Sequence, residues 1–123
     1  MAQIRVLLAS ASFIKKSAVI NYFRSNHPGI KPIIECLDCD ACLPAQPITC
    51  GAECAALRMA YAIATYQKPY DMVISIESDL LNVASQYYDT AHIRIFVNGI
   101  IGVGIDRQHF SNVSSVGVDI INT

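Results

Sequence analysis

The chain has 123 residues, enough for one hydrophobic core and one domain. With 53% hydrophobic and 15% charged residues it is not a disordered composition, and a net charge of -1 without a basic block argues against a nucleic-acid polymer as partner. No apolar run reaches the roughly 18 residues of a membrane span, and Met1-Ala2-Gln3-Ile4-Arg5 lacks the layout of a signal peptide, so a cytoplasmic protein with no membrane partner is expected.

Ile4-Arg5-Val6-Leu7-Leu8-Ala9 reads as a buried strand. Ser10-Ala11-Ser12 follows, with Ser12 as the N-cap of a helix that starts near Phe13. Ile14, Ala18, Val19, Tyr22 and Phe23 predict its inward face, and Asn26-His27-Pro28-Gly29 stops it. A second strand runs from Lys31 to Cys36, and Pro44 and Pro47 make Leu37 to Thr49 a loop. Ala52, Ala55, Ala56, Met59, Ala60 and Ile63 predict the inward face of a second helix, ended by Lys68-Pro69. Asp71-Met72-Val73-Ile74-Ser75-Ile76-Glu77-Ser78-Asp79 is an apolar strand with two carboxylates at its tip. Asn98-Gly99, between Tyr87–Val97 and Ile100–Ile105, is a strong hairpin signal. His92, Arg94 and Phe96 share one face of the first arm, and Ile93, Ile95 and Val97 the other. Beyond Asp106 only Val116 to Ile121 has a strand-like pattern. Strand, helix, strand, helix, strand, hairpin predicts an α/β domain with a mixed sheet flanked by helices.

Three places carry chemistry. Glu77 and Asp79 have the same strand parity, and paired carboxylates suit a hard cation such as Mg²⁺; otherwise they are exposed residues at a strand end. The turn from Ser10 to Lys15 leaves free N–H groups at a helix start, which bind anions, and a lysine in that first turn fits an anion beside it. The alternative is that Lys15 and Lys16 are solvated surface lysines. Asp40 joins these only if its loop folds back beside Glu77; otherwise it is a turn residue. Cys36, Cys39, Cys42, Cys50 and Cys54 contain two CxxC steps, which fit a zinc or iron–sulfur module or a set of buried thiols.

Taken in order, these features resemble the inosine/xanthosine triphosphatases (the YjjX type), within the inosine triphosphatase-like superfamily that includes the Maf-like nucleotide pyrophosphatases. The turn Ala9-Ser10-Ala11-Ser12-Phe13-Ile14-Lys15 stands where the family has a threonine- and asparagine-containing turn ending in lysine, and its first half is nearer the Maf-like branch. The resemblance makes Ser10, Ala11, Ser12, Phe13, Ile14 and Lys15 triphosphate-binding positions. Asp40 precedes Pro44-Ala45-Gln46-Pro47 by the family's interval and would be a metal ligand. Arg58-Met59-Ala60 matches the family's arginine followed by small residues, which makes Arg58 a substrate contact; the competing anchor, Gly51-Ala52, needs a larger deletion. Ile74-Ser75-Ile76-Glu77-Ser78 matches the family's strand, with Glu77 the second metal ligand and Ser78 beside the substrate. Glu77, Lys15 and Asp79 would be the catalytic set.

The resemblance covers residues 4 to 105 and implies hydrolysis of a phosphoanhydride bond of ITP or XTP with Mg²⁺ or Mn²⁺, by a homodimer. Family members are longer, with a glycine-rich, acidic and arginine-bearing segment that Gly104-Ile105-Asp106 echoes only in part, so a shortened C-terminus is expected. Nucleotide binding without turnover, an interaction domain of the same fold, or a zinc or iron–sulfur cysteine module are the alternative expectations.

Overall fold

The computed structural model describes residues 2–40 and 51–109. The strand expected at Val116–Ile121, Pro44-Ala45-Gln46-Pro47, Cys42 and Cys50 lie outside them. The elements are β1 (Ala2–Leu8), α1 (Phe13–Asn26), β2 (Ile30–Cys36), α2 (Gly51–Thr65), β3 (Met72–Val83), β4 (Gln86–Val97) and β5 (Ile100–His109). They form one five-stranded open sheet in the order β2-β1-β3-β4-β5. β1 runs parallel to β2 and β3, and β4 and β5 add antiparallel neighbours, so the sheet is mixed and helix-flanked, as expected.

Alternate residues of the central strands feed two cores. Val6, Leu8, Ile74 and Ile76 pack with Val19 and Phe23 of α1. Leu7, Ala9 and Val73 face the other way and pack with Met59 and Ala62 of α2. The hairpin arm divides as its parity requires: Ile93 and Ile95 join the α1 side and Phe96 the α2 side. Among the described residues no helix is long and apolar enough to cross a membrane.

Both helices are rotated from the faces that apolar spacing predicts. In α1 the buried residues are Lys15, Val19 and Phe23, whereas Ile14 and Tyr22 are exposed. In α2 the buried stripe is Gly51, Cys54, Ala55, Arg58, Met59 and Ala62, one residue off the expected set. Each true stripe contains a cation, which a search for apolar periodicity passes over. Helix α2 also stops at Thr65, before Lys68-Pro69. The side chain of Ser75 donates to the Ala55 carbonyl at 2.7 Å, a buried tie that fixes α2 against β3.

β3 does not end at its carboxylates. It pairs with β4 from Met72↔Val97 to Val83↔Gln86 and turns through Ala84 and Ser85. Both turn residues have left-handed backbone, with φ of 51° and 64°, which costs a non-glycine residue some stability. Replacing Ala84-Ser85 by Asn-Gly is expected to raise unfolding stability by roughly 0.5–1 kcal/mol. In urea this appears as a higher midpoint at unchanged slope.

Candidate functional site

The sheet order places β2 and β3 on opposite sides of β1, with α1 and α2 on opposite faces. Such a reversal opens a crevice at the carboxyl ends of β1 and β3, the place where open α/β sheets bind ligands. β1 pairs with β3 only over Val6–Leu8, and the Ala9 N–H closes the ladder on the Ile74 carbonyl at 2.9 Å. From there β3 runs on without β1 beside it, and Glu77 stands in that free stretch.

Four charged residues that the sequence singles out meet here. Glu77 has the parity of Ser75, so it faces α2, and Arg58 lies one turn beyond Ala55 on the buried stripe. The Arg58 Nε donates to Glu77 Oε2 at 2.7 Å in a pair whose side chains are 10% and 8% exposed. The Arg58 Nη2 reaches Asp40 Oδ1, also at 2.7 Å, and Asp40 is 71% exposed. Asp40 is brought over by the strand before it: the Leu37 N–H donates to the Leu8 carbonyl, Cys39 is buried in the α2-side core, and the Asp40 N–H donates to Asp38 Oδ1 at 2.9 Å. The described start of the loop, Leu37 to Asp40, therefore brings Asp40 to the same guanidinium that holds Glu77.

Lys15 enters from the other side. Ser10 Oγ accepts from the Ser12 N–H at 3.0 Å, and Ser12 Oγ caps the helix by accepting from the Lys15 N–H at 3.3 Å. The N–H groups of Phe13 and Ile14 are left without an acceptor inside the helix, and no acidic residue occupies the first turn. The Lys15 side chain is only 3% exposed, and among the described residues its ammonium makes no hydrogen bond or ion pair. Burial lowers its pKa; the nearby Glu77 charge opposes that, Arg58 adds to it, and Asp40 opposes it again. Burial by itself would lower the Arg58 pKa too, but the hydrogen bonds and charges of Glu77 and then Asp40 outweigh it and raise the pKa.

The remaining sequence-predicted positions divide. Phe13 and Ile14 expose their side chains, so only their backbone faces the turn's chemistry. Ala11 is exposed, and Ser10 is buried. Ser78, opposite Ala91, lies on the sheet face away from Glu77. Asp79 is opposite Thr90 on β3, and its side chain lies outside what the structure describes.

Sequence inspection missed two neighbours, His92 opposite Glu77 and Thr90 opposite Asp79. Thr90 is 2% exposed and its Oγ1 has no partner among the described residues. The register that finds them is set by the Ala84-Ser85 turn, which carries none of the usual hairpin residues.

Two carboxylates stand close to one another here, and both are paired with Arg58. Asp40 and Glu77 present carboxylate oxygens to one guanidinium, and Mg²⁺ is commonly held by one or two carboxylates plus substrate phosphates. Among the described residues no group of three or more His, Cys, Asp or Glu side chains converges. The described cysteines separate: Cys36 packs in the α1-side core and Cys39 in the α2-side core, where each is a small apolar group. Cys54 is fully buried on α2.

No protein-family model matches this chain, and no curated protein does. The solved structure of protein VC0702 from Vibrio cholerae is similar, with a TM-score of 0.67 over 87% of this chain and 14% sequence identity. This chain spans 64% of that protein's length. At this identity the likeness shows the fold. A S-adenosylmethionine-dependent methyltransferase from Clostridium acetobutylicum ATCC 824 aligns over 89% of this chain and 66% of its own at 13% identity, but its TM-score of 0.29 carries no argument.

Burying Lys15 has a stability consequence. Its folded-state pKa lies below the ordinary 10.5, so the unfolded chain holds the proton more tightly. The loss of stability is complete below the folded-state pKa and fades as pH rises from that value toward 10.5. Lys15→Met is therefore expected to raise the melting temperature at pH 7 by about 3–5 °C, the equivalent of about 1 kcal/mol in a domain of this size. In thermal melts at increasing pH the difference from the unaltered chain should shrink.

Proposed function

We propose that this chain is a divalent-metal-dependent nucleoside triphosphate hydrolase of the inosine/xanthosine triphosphatase type, acting on deaminated purine nucleotides such as ITP and XTP. The observation that carries this reading is the meeting of Lys15, Arg58, Asp40 and Glu77 at the crevice between β1 and β3. Two cations and a helix start offer a place for phosphates, and two carboxylates offer a place for the cation that accompanies them.

The residues divide the work by position. The Phe13 and Ile14 N–H groups and the Lys15 ammonium bind the triphosphate, and burial strengthens the hold of Lys15 on charge that develops in phosphoryl transfer. Asp40 and Glu77 would hold Mg²⁺ or Mn²⁺, which when bound neutralises phosphate charge and polarises the attacked group. Arg58 offers the planar fork suited to a phosphate. The Ser10 and Ser12 oxygens already accept backbone N–H groups, so these serines shape the turn and can give their hydroxyl protons to an anion.

A second reading, nucleotide binding without turnover, is favoured by one observation. The Arg58 bridge occupies an oxygen of each candidate metal-binding carboxylate.

Release of phosphate and pyrophosphate from a panel of nucleoside triphosphates decides between them. The expected result is release from ITP or XTP in preference to ATP and GTP, supported by Mg²⁺ or Mn²⁺ and abolished by chelator. Glu77→Gln and Asp40→Asn should each lower the rate on the order of 10²-fold, as loss of one charge-stabilising group does. Full metal-dependent release by folded Glu77→Gln would remove Glu77 from the site, and tight ITP binding with no product would establish the second reading.

A further inference from the structure

We propose that Arg58 closes the Asp40–Glu77 carboxylate pair to a free divalent cation and opens it to a cation that arrives with a phosphate-bearing anion. The proposal rests on reading the cluster as a joint anion and cation site, and it assigns Arg58 a role beyond contact with substrate.

Three observations support it. First, Arg58 spans the pair, with one nitrogen on each carboxylate at 2.7 Å. A cation held by both carboxylates would compete with that fork for their oxygens. Second, the cluster is electrically balanced as it stands, with Lys15 and Arg58 against Asp40 and Glu77. A lone dication would bring two further positive charges next to a buried ammonium and a buried guanidinium, where like charges repel strongly. A phosphate anion entering with the cation cancels that excess. Third, the two limbs of the bridge differ. The Glu77 limb is buried, whereas Asp40 is 71% exposed and its limb opens into water.

Arg58 therefore has an exit that needs no change in the sheet. It releases Asp40 and turns its fork toward a phosphate, for which a guanidinium is a bidentate partner. The buried Lys15 ammonium and the uncapped N–H groups of Phe13 and Ile14 stand nearby to take other oxygens of the same anion. Anion and cation then assist each other, and by linkage each tightens the other by the same factor.

The test is a titration of the full chain with Mn²⁺ alone, followed by loss of the free-ion paramagnetic resonance signal. Arg58→Gln removes the fork and its charge. Arg58→Lys keeps a cation against buried Glu77 and is the variant more certain to fold, yet a single ammonium cannot fork across both carboxylates. Folded Arg58→Gln is expected to bind Mn²⁺ about tenfold tighter than the unaltered chain, within the usual range of coupling between linked sites. Arg58→Lys should gain in the same direction, and adding Asp40→Asn should take that gain away. In the unaltered chain, inorganic phosphate should tighten Mn²⁺ after correction with a protein-free blank. Unchanged or weaker Mn²⁺ binding in a folded Arg58 variant overturns the proposal, and so does the absence of any phosphate effect. These titrations contain no nucleotide. A chain that passes them and hydrolyses no triphosphate keeps the gate and loses the hydrolase reading.

Discussion

The buried pair of Arg58 and Glu77 is the constraint to which the carboxyl edge of this sheet answers. Taking a guanidinium and a carboxylate out of water costs several kcal/mol per ion, and only close geometry offsets it. The geometry comes from two adjoining contacts between one helix and one strand. Ser75 ties to the Ala55 carbonyl, and two residues along the strand Glu77 meets Arg58, one helical turn from Ala55. Helix α2 cannot rotate on β3 without breaking both. The termination of β1 at Leu8 then leaves the Glu77 stretch of β3 open to the turn that carries Lys15.

This constraint also explains where sequence pattern failed. Much of the fold was legible: both helices, the mixed helix-flanked sheet, the Asn98-Gly99 hairpin and the partition of Ile93, Ile95 and Phe96 between faces. The helix faces were legible only in part: Val19, Phe23, Ala55 and Met59 are inward as expected, but neighbouring core positions on both helices are taken by cations. Lys15 occupies the stripe of Val19 and Phe23, and Arg58 the stripe of Ala55 and Met59. Apolar spacing places Ile14 and Ile63 inward instead, and both are exposed. Local rules fail most readily where a fold accepts an unfavourable group for a function.

The second illegible feature has a different cause. Nothing between Val83 and Gln86 announces a tight hairpin, since Ala84 and Ser85 adopt left-handed backbone without Gly or Asn. Without that turn there is no register, and without register His92 and Thr90 cannot be placed opposite Glu77 and Asp79. The candidate site itself was partly legible. Lys15, Asp40, Arg58 and Glu77 were each named from the sequence, but their mutual pairing was not, because the carboxylates that look like ligands in one dimension are bridged by the arginine in three. Spacing along a chain carries no information on which charge lies between two others.

The presence of these groups argues for use rather than for stability. A buried ion pair is weak evidence of stabilisation, since well-packed apolar residues of similar volume are often as good or better. Lys15 makes the point more sharply. It is almost wholly buried, its ammonium has no direct partner among the described residues, and its charge is disfavoured by burial. A methionine in that position would avoid the cost of burying a charge. The arrangement gains a purpose only when a group of opposite charge enters the crevice. In the proposed scheme a phosphate would give Lys15 the contact it lacks, draw Arg58 from Asp40, and free carboxylate oxygens for a cation in the same event. On the proposed reading, the features that lower the stability of the crevice are the ones that would make it selective for an anion and a cation together.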